Sequence, residues 1–182
     1  MAFQRTTTEL DGLIVLEPKV FGDHRGYFKE TFRDSDFQEL GLPLFVQENE
    51  SRSKAGVLRG LHYQLQPASL TKLVRCVRGA IFDVAVDIRK SSPTYGKWHG
   101  VELSEENHKM FLVPDGFAHG FLTLREDTVI VYKQTDYYTP ELERAVLWRD
   151  PALNIQWPLT DPLLSSKDEE AKPLAEVENN FD

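Results

Sequence analysis

The sequence predicts an all-β sandwich or barrel. One observation is the run of short segments rich in Val, Ile, Leu, Phe and Tyr, several of them alternating with polar residues. A second is the recurrence of Gly, Pro and Asp turn signals roughly every 8–12 residues. A third is the scarcity of helical signals.

Taken in order, Leu13–Leu16 is a short apolar run, and Tyr27–Phe32 follows a charged turn. Leu44–Ser51 begins after Pro43, and Val57–Gln64 after Gly56. Lys72–Val77 and Ala80–Ile88 flank Gly79. Gly100–Leu103, Lys109–Val113, Gly120–Leu124, Thr128–Gln134 and Ala145–Trp148 complete the expected strands. Two short helices flank them. In Asp34–Leu40, Ser35 and Gln38 read as a capping box and Gly41 as a stop. Ser166 with Glu169 reads as the start of a second helix through Ala171, before Pro173.

The chain has 182 residues, which suits one domain over 1–182 that buries about 70% of its unfolded surface. Apolar residues make up 41% and charged residues 27%, which excludes a disordered chain. No apolar run approaches the ~18 residues of a membrane span. The opening MAFQRTTTELDG lacks an apolar signal core, and the single cysteine, Cys76, excludes an internal disulfide. A cytoplasmic location is therefore expected. The net charge of −8 argues against nucleic acid and anionic membranes as partners. A small anionic ligand requires a local basic cluster.

Seven segments carry candidate chemistry. Strict alternation puts Arg59 and His62 on opposite faces of their strand; a bulge at Gly60 puts them on one. Lys72 shares a face with Val74 and Cys76, and a buried ammonium there needs an anion partner. Asp83 and Asp87 share a face, and either can answer Lys72 or face solvent. His119 follows the turn Pro114-Asp115-Gly116. Tyr132 shares a face with Ile130 and Gln134, and an inward hydroxyl needs a partner. Tyr137 and Tyr138 form a loop pair suited to stacking, while Phe21–Glu30 is a charged hairpin. There is no phosphate-cradling Gly loop, zinc spacing or nucleophile elbow.

Assembled in order, DHRGYFKE, VQENESRSKAGVLRGLHYQ, KLVRCVRGAIFDVAVDIRKSSPTYGKW, VPDGFAHGF, YKQTDYYTPELE, WRDPALNIQWP and SSKD resemble the dTDP-4-dehydrorhamnose 3,5-epimerase (RmlC) family. The resemblance covers roughly Leu13 to Asp168. It implies a cupin-type β jelly roll, a double-stranded antiparallel β-helix with short flanking helices, usually a homodimer. The implied reaction inverts C3 and C5 of dTDP-4-dehydro-6-deoxy-D-glucose without metal or cofactor. The metal-binding cupin pattern has a His-x-His pair, which here reads His62-Tyr63-Gln64, a poor divalent site.

The resemblance also implies roles. His62 is the base, with Asp168 behind its imidazole, and Tyr132 is the acid on the opposite face. Lys72 stabilises the C4 oxygen, with Asp83 holding Lys72. Arg25, Arg59, His119 and Lys167 meet the diphosphate. Tyr138 stacks on thymine, and Gln47, Asn49 and Glu143 are polar contacts. Arg25 and Glu30 reach the neighbouring subunit's site. The rival enzyme reading is a monofunctional 3- or 5-epimerase, or a ketoisomerase, on a related dTDP-4-ketosugar. A metal-dependent cupin and a non-catalytic sugar-binding cupin are the other two.

Overall fold

The computed structural model describes residues 2–182. Among these the strands are β1 (Phe3–Thr7), β2 (Ile14–Pro18), β3 (Val20–Asp23), β4 (Gly26–Lys29), β5 (Gln47–Ser53), β6 (Leu58–Gln64), β7 (Lys72–Arg78), β8 (Ala80–Asp87), β9 (Trp98–Ser104), β10 (Met110–Val113), β11 (Phe117–Thr123), β12 (Thr128–Gln134) and β13 (Glu143–Ala145). Helices are α1 (Asp34–Glu39) and α2 (Ser166–Glu169), with a single 3-10 turn at Pro140–Leu142.

The strands form a six-stranded sheet, β1-β2-β10-β7-β12-β5, and a five-stranded sheet, β13-β6-β11-β8-β9. Neighbours such as β7 and β12, or β6 and β11, are antiparallel but distant in sequence. The chain thus crosses repeatedly between two facing sheets, as a jelly roll does. The core between them holds Val74 and Cys76 of β7, Ile81 and Ala85 of β8, Phe117 and Phe121 of β11, and Ile130 of β12. Each large buried side chain contributes about 1.5–3 kcal/mol.

The outer faces are also partly covered. Phe37 of α1 packs on Leu16, Leu73 and Met110 outside the six-stranded sheet. Leu153, Leu174 and Phe181 pack on Leu61, Tyr63, Val84 and Ala118 outside the five-stranded one. This double coverage explains why every residue of β11 is buried, giving a near-continuous apolar run where a one-sided strand would alternate.

The departures from expectation have physical causes. β1 is an edge strand with four of its five residues exposed, so it carries little hydrophobic alternation. β3 and β4 pair only with each other, and all of β3 is exposed. β4 ends at Lys29 rather than Phe32, and β5 starts at Gln47 because Leu44 and Val46 face solvent. β13 covers Glu143–Ala145 rather than Ala145–Trp148, whose Trp148 packs instead against Leu58 and Leu122. The Ser35–Gln38 box does not form: Arg33 is the N-cap of α1, and Gln38 Nε2 donates to Asp34 Oδ2 at 2.7 Å. The cap of α2 is Ser165, not Ser166, and the helix stops at Glu169 rather than Ala171. None of the described helices is long and apolar enough to cross a membrane.

Candidate active site

Between the two sheets a cavity of about 230 Å³, open at its mouth, is lined from both sides. β6 contributes Arg59 and His62, β7 Lys72, β11 His119 and Phe121, and β12 Ile130 and Tyr132; Ser51 of β5 and Ser165 and Asp168 at α2 close the ring.

Arg59 and His62 share this cavity because of a bulge. His119 pairs with His62 and Phe121 with Arg59, so β6 carries one more residue than β11 across that interval. Leu58, Leu61 and Tyr63 meanwhile face outward into packed clusters. Only glycine fits the crossing: a Cβ on Gly60, at φ +119°, would stand 2.5 Å from the Gly120 Cα. A Cβ on Gly120 would lie 2.7 Å from the Arg59 carbonyl oxygen.

Two histidine–carboxylate pairs result. His62 Nε2 lies 2.6 Å from Asp168 Oδ1. The other Asp168 oxygen accepts from Ser165 Oγ at 2.8 Å. Burial alone raises the Asp168 pKa, but hydrogen bonds from His62, Ser165 and the Gly60 N–H outweigh it and hold the carboxyl below its ordinary value. Asp168 is therefore an anion that accepts the hydrogen bond from His62 Nε2–H, which leaves Nδ1 as the ring nitrogen turned away from the carboxylate.

The second pair corrects an expectation. Asp83 does not ion-pair with Lys72; its Oδ1 lies 2.5 Å from His119 Nε2, and it is fully buried. Asp83 acts on Lys72 only through its field. Burial holds the Lys72 pKa below that of a free lysine, against the opposing pull of Glu143 and Asp83. Lys72 is half-buried on the cavity wall, where its ammonium can meet developing negative charge.

On β12, Tyr132 faces the cavity. Burial raises its pKa, the Glu143 charge raises it further, and Arg59 and Asn49 oppose. Its hydroxyl thus keeps its proton at neutral pH. The Arg59 charge favours the loss of that proton.

Glu143, on the edge strand β13, is the hub of the mouth. It accepts from Tyr138 Oη at 2.6 Å, pairs with Lys167, and lies 4.0 Å from His62 Nδ1. Burial raises its pKa, yet the bonds from Lys167 and Tyr138 lower it below the ordinary glutamate value. The Tyr138 phenol is in turn pushed up to about 12, first by its bond to Glu143. Gln47 Nε2 donates to Asn49 Oδ1 at 2.9 Å, and Asn49 Nδ2 donates to Gln134 Oε1 at 3.3 Å.

The expected cationic cluster divides. Arg59 and His119 line the cavity, while Lys167 is bound to Glu143 at its mouth. Arg25 pairs with Asp23 on the β3–β4 hairpin, and Glu30 pairs with Arg33, both outside this cavity. Ser51, Ser53 and Ser165 were not singled out from sequence. Ser53 accepts from Arg59 Nε at 3.2 Å. The inward polar alternation of β5 was the available signal for the two β5 serines.

The family model for dTDP-4-dehydrorhamnose 3,5-epimerase matches residues 7–176. The dTDP-4-dehydrorhamnose 3,5-epimerase of Shigella flexneri is 55% identical over 163 residues, 88% of this chain and 90% of that protein. A crystal structure of RmlC from Legionella pneumophila Philadelphia 1, in complex with dTDP-4-keto-L-rhamnose, is 50% identical with a TM-score of 0.92. It covers 96% of this chain and 94% of its own. ChmJ, a 3'-monoepimerase from Streptomyces bikiniensis in complex with dTDP-quinovose, is 40% identical with a TM-score of 0.86, covering 92% and 86%. On these matches, which run nearly end to end, the chain belongs to the dTDP-4-dehydrorhamnose 3,5-epimerase family.

Proposed function

We propose that this protein epimerises dTDP-4-dehydro-6-deoxy-D-glucose at C3 and C5, giving dTDP-4-dehydro-L-rhamnose, by acid–base proton transfer. The observation that carries the proposal is one cavity lined by a carboxylate-backed histidine on one sheet and a protonated tyrosine on the other. His62 belongs to β6, Tyr132 to β12, and Lys72 lines the same space.

The substrate's C4 ketone acidifies the hydrogens on C3 and C5. His62 Nδ1 removes one, and Asp168 stabilises the imidazolium that forms. Negative charge moves to the C4 oxygen, where Lys72 meets it. Tyr132 returns a proton from the opposite face, which inverts the carbon. The tyrosinate that remains is eased by Arg59. His119, held by Asp83, lies beside Lys72 on the cavity wall and offers its free Nδ1 to the substrate.

The nucleotide diphosphate meets Arg59 and Lys167, and thymine stacks on the exposed Tyr138 at the mouth. Gln47, Asn49 and Glu143 supply polar contacts there. Arg25 and Glu30 serve a second copy of the chain in a homodimer. Support comes from the hairpin that carries Arg25, which pairs with no other strand and exposes Phe21, Tyr27 and Phe28. The lone Cys76, buried with its thiol pKa pushed up to about 11 by that burial, fits a cytoplasmic protein.

The likeness to ChmJ favours one second reading, inversion at a single carbon of a related dTDP-4-ketosugar. Proton NMR of the ketosugar with enzyme in D2O separates the two. Loss of signal at both C3 and C5 is expected; loss at one carbon alone supports the second reading, and loss at neither refutes both.

A further inference from the structure

Beneath the site the end of the sandwich holds a second, narrow cavity of about 10 Å³, room for about one water at most. His62, Lys72 and His119 line both cavities. These three side chains are therefore the partition between the front of the site and its back. On the far side stand Tyr63, Gly116 and Phe181.

Phe181 reaches this place at the end of a strap, residues 178–181, that lies beyond the span matched by the family model. The strap is tied along its length. Tyr63 Oη donates to the Glu178 carbonyl, and the Glu178 carboxylate accepts from Arg144 Nε at 3.0 Å. Asn179 Nδ2 donates to the Ile88 carbonyl at 2.6 Å, and Lys90 Nζ donates to the Asn179 carbonyl at 2.7 Å. Asn180 exchanges two 3.1 Å bonds with the Gln66 backbone. Phe181 itself is 4% exposed and meets Tyr63 edge-on, with ring centroids 6.3 Å apart.

The anchors are placed tellingly. Tyr63 is the outward neighbour of His62 on β6, and Arg144 is the neighbour of Glu143 on β13. Glu178 grips both from outside the sheet. Phe181 meanwhile fills the position behind His62, Lys72 and His119. We infer that residues 178–181 are a positioning strap for the active site, in which Phe181 closes the back of the cavity and Glu178 fixes the strands that carry His62 and Glu143. This rests on the epimerase reading of the same site. The low Lys72 pKa, caused by burial, is consistent with a back wall that excludes water.

The test uses the full chain with Phe181→Ala and Phe181→Leu, and two readouts. The first is the rate at which acetic anhydride acylates Lys72, read by peptide mass spectrometry against exposed Lys54. The Ala variant is expected to label Lys72 about tenfold faster, with the Leu variant between and Lys54 unchanged. The second is turnover: kcat per folded molecule is expected to fall about tenfold, with dTDP affinity unchanged within about twofold. A merely structural Phe181 lowers the melting temperature and leaves both readouts alone; that result overturns the strap. If Phe181→Ala fails to fold, all lysines label alike and Phe181→Leu decides by the same readouts. If the wild type itself leaves the ketosugar untouched, the epimerase reading fails, and Lys72 labelling alone decides whether Phe181 closes the back wall.

Discussion

His62 Nε2 and Asp168 Oδ1 stand 2.6 Å apart although 106 positions separate the residues in sequence. The contact fixes which ring nitrogen is free, because the carboxylate accepts the hydrogen bond from Nε2–H. Ser165 holds the other carboxylate oxygen, so the acceptor has little freedom to turn away. On the proposed mechanism, that one nitrogen serves both acidic carbons of the substrate. His62→Asn is expected to reduce deuterium uptake at C3 and C5 together by at least about a hundredfold. Affinity for dTDP, measured calorimetrically, should stay near wild type. Near-normal exchange at either carbon would show that another base acts there.

Tyr132→Phe separates the acid from the base. The ring and its packing remain, while the proton donor is gone. Deprotonation by His62 continues, so solvent exchange should persist at a reduced rate while inversion falls by about 10²–10⁴. Monitoring uptake and product stereochemistry in one NMR experiment checks this. Parallel loss of both would mean that Tyr132 shapes the site or takes part in deprotonation.

Much of the barrel was legible because β6, β7, β8, β11 and β12 are apolar runs bounded by turn residues. The edges were not. β1 and β3 show water most of their residues, so their pairing is set by a partner strand that sequence periodicity does not reveal. The bulge that unites Arg59 with His62 was one of two open alternatives, and the close crossing of Gly60 and Gly120 decides it. Locally, nothing tied Asp168 to His62; only the likeness of SSKD to the family linked them. Asp83 was one of two aspartates that could answer Lys72, and a strand pattern gives a face and not a partner. β11 lies beside β8 and brings His119 into reach of Asp83 first.

Asp87 gives a pH-dependent stability. It is fully buried, and burial alone would raise its pKa. Bonds from Arg89, Ser92 and Thr94 outweigh that and hold it at about 2. A depressed carboxyl stabilises the fold above its unfolded pKa, here near 3.8, and the effect fades as pH falls toward about 2. The gap corresponds to about 2 kcal/mol. Asp87→Asn should therefore cost about 2 kcal/mol in urea unfolding at pH 7, with the difference narrowing below pH 4. A constant difference across that range would assign the loss to packing instead.

Chelation addresses the donor set. In place of a second histidine, Gln64 sits after Tyr63; its Nε2 donates to the Ala68 carbonyl at 2.7 Å, and its Oε1 accepts from the Thr139 N–H at 2.7 Å. Its side chain is committed to the loops. Activity should survive exhaustive dialysis against a strong chelator, with turnover within about twofold of the untreated enzyme. A stoichiometric metal whose removal abolishes turnover would refute the metal-free mechanism.

The last prediction concerns the hairpin. Arg25 pairs with Asp23 and lies outside the cavity of its own chain. If it and Glu30 complete the site of a second copy, lesions in different chains should complement. One chain carries Arg25→Ala with Glu30→Ala, and the other carries His62→Asn; each alone is nearly inactive. In a mixed dimer, one site then combines intact His62 from the first chain with intact Arg25 and Glu30 from the second. The other site carries every lesion. Random remixing makes about half the dimers mixed, so activity should recover to roughly a quarter of wild type under two-fold symmetry. If the hairpin served its own chain, every mixed site would carry a lesion and activity would stay at the parents' level. Co-purification of an untagged chain with a tagged one verifies that subunits exchange. Exchange without recovery would refute the shared site while leaving the roles of His62 and Tyr132 intact.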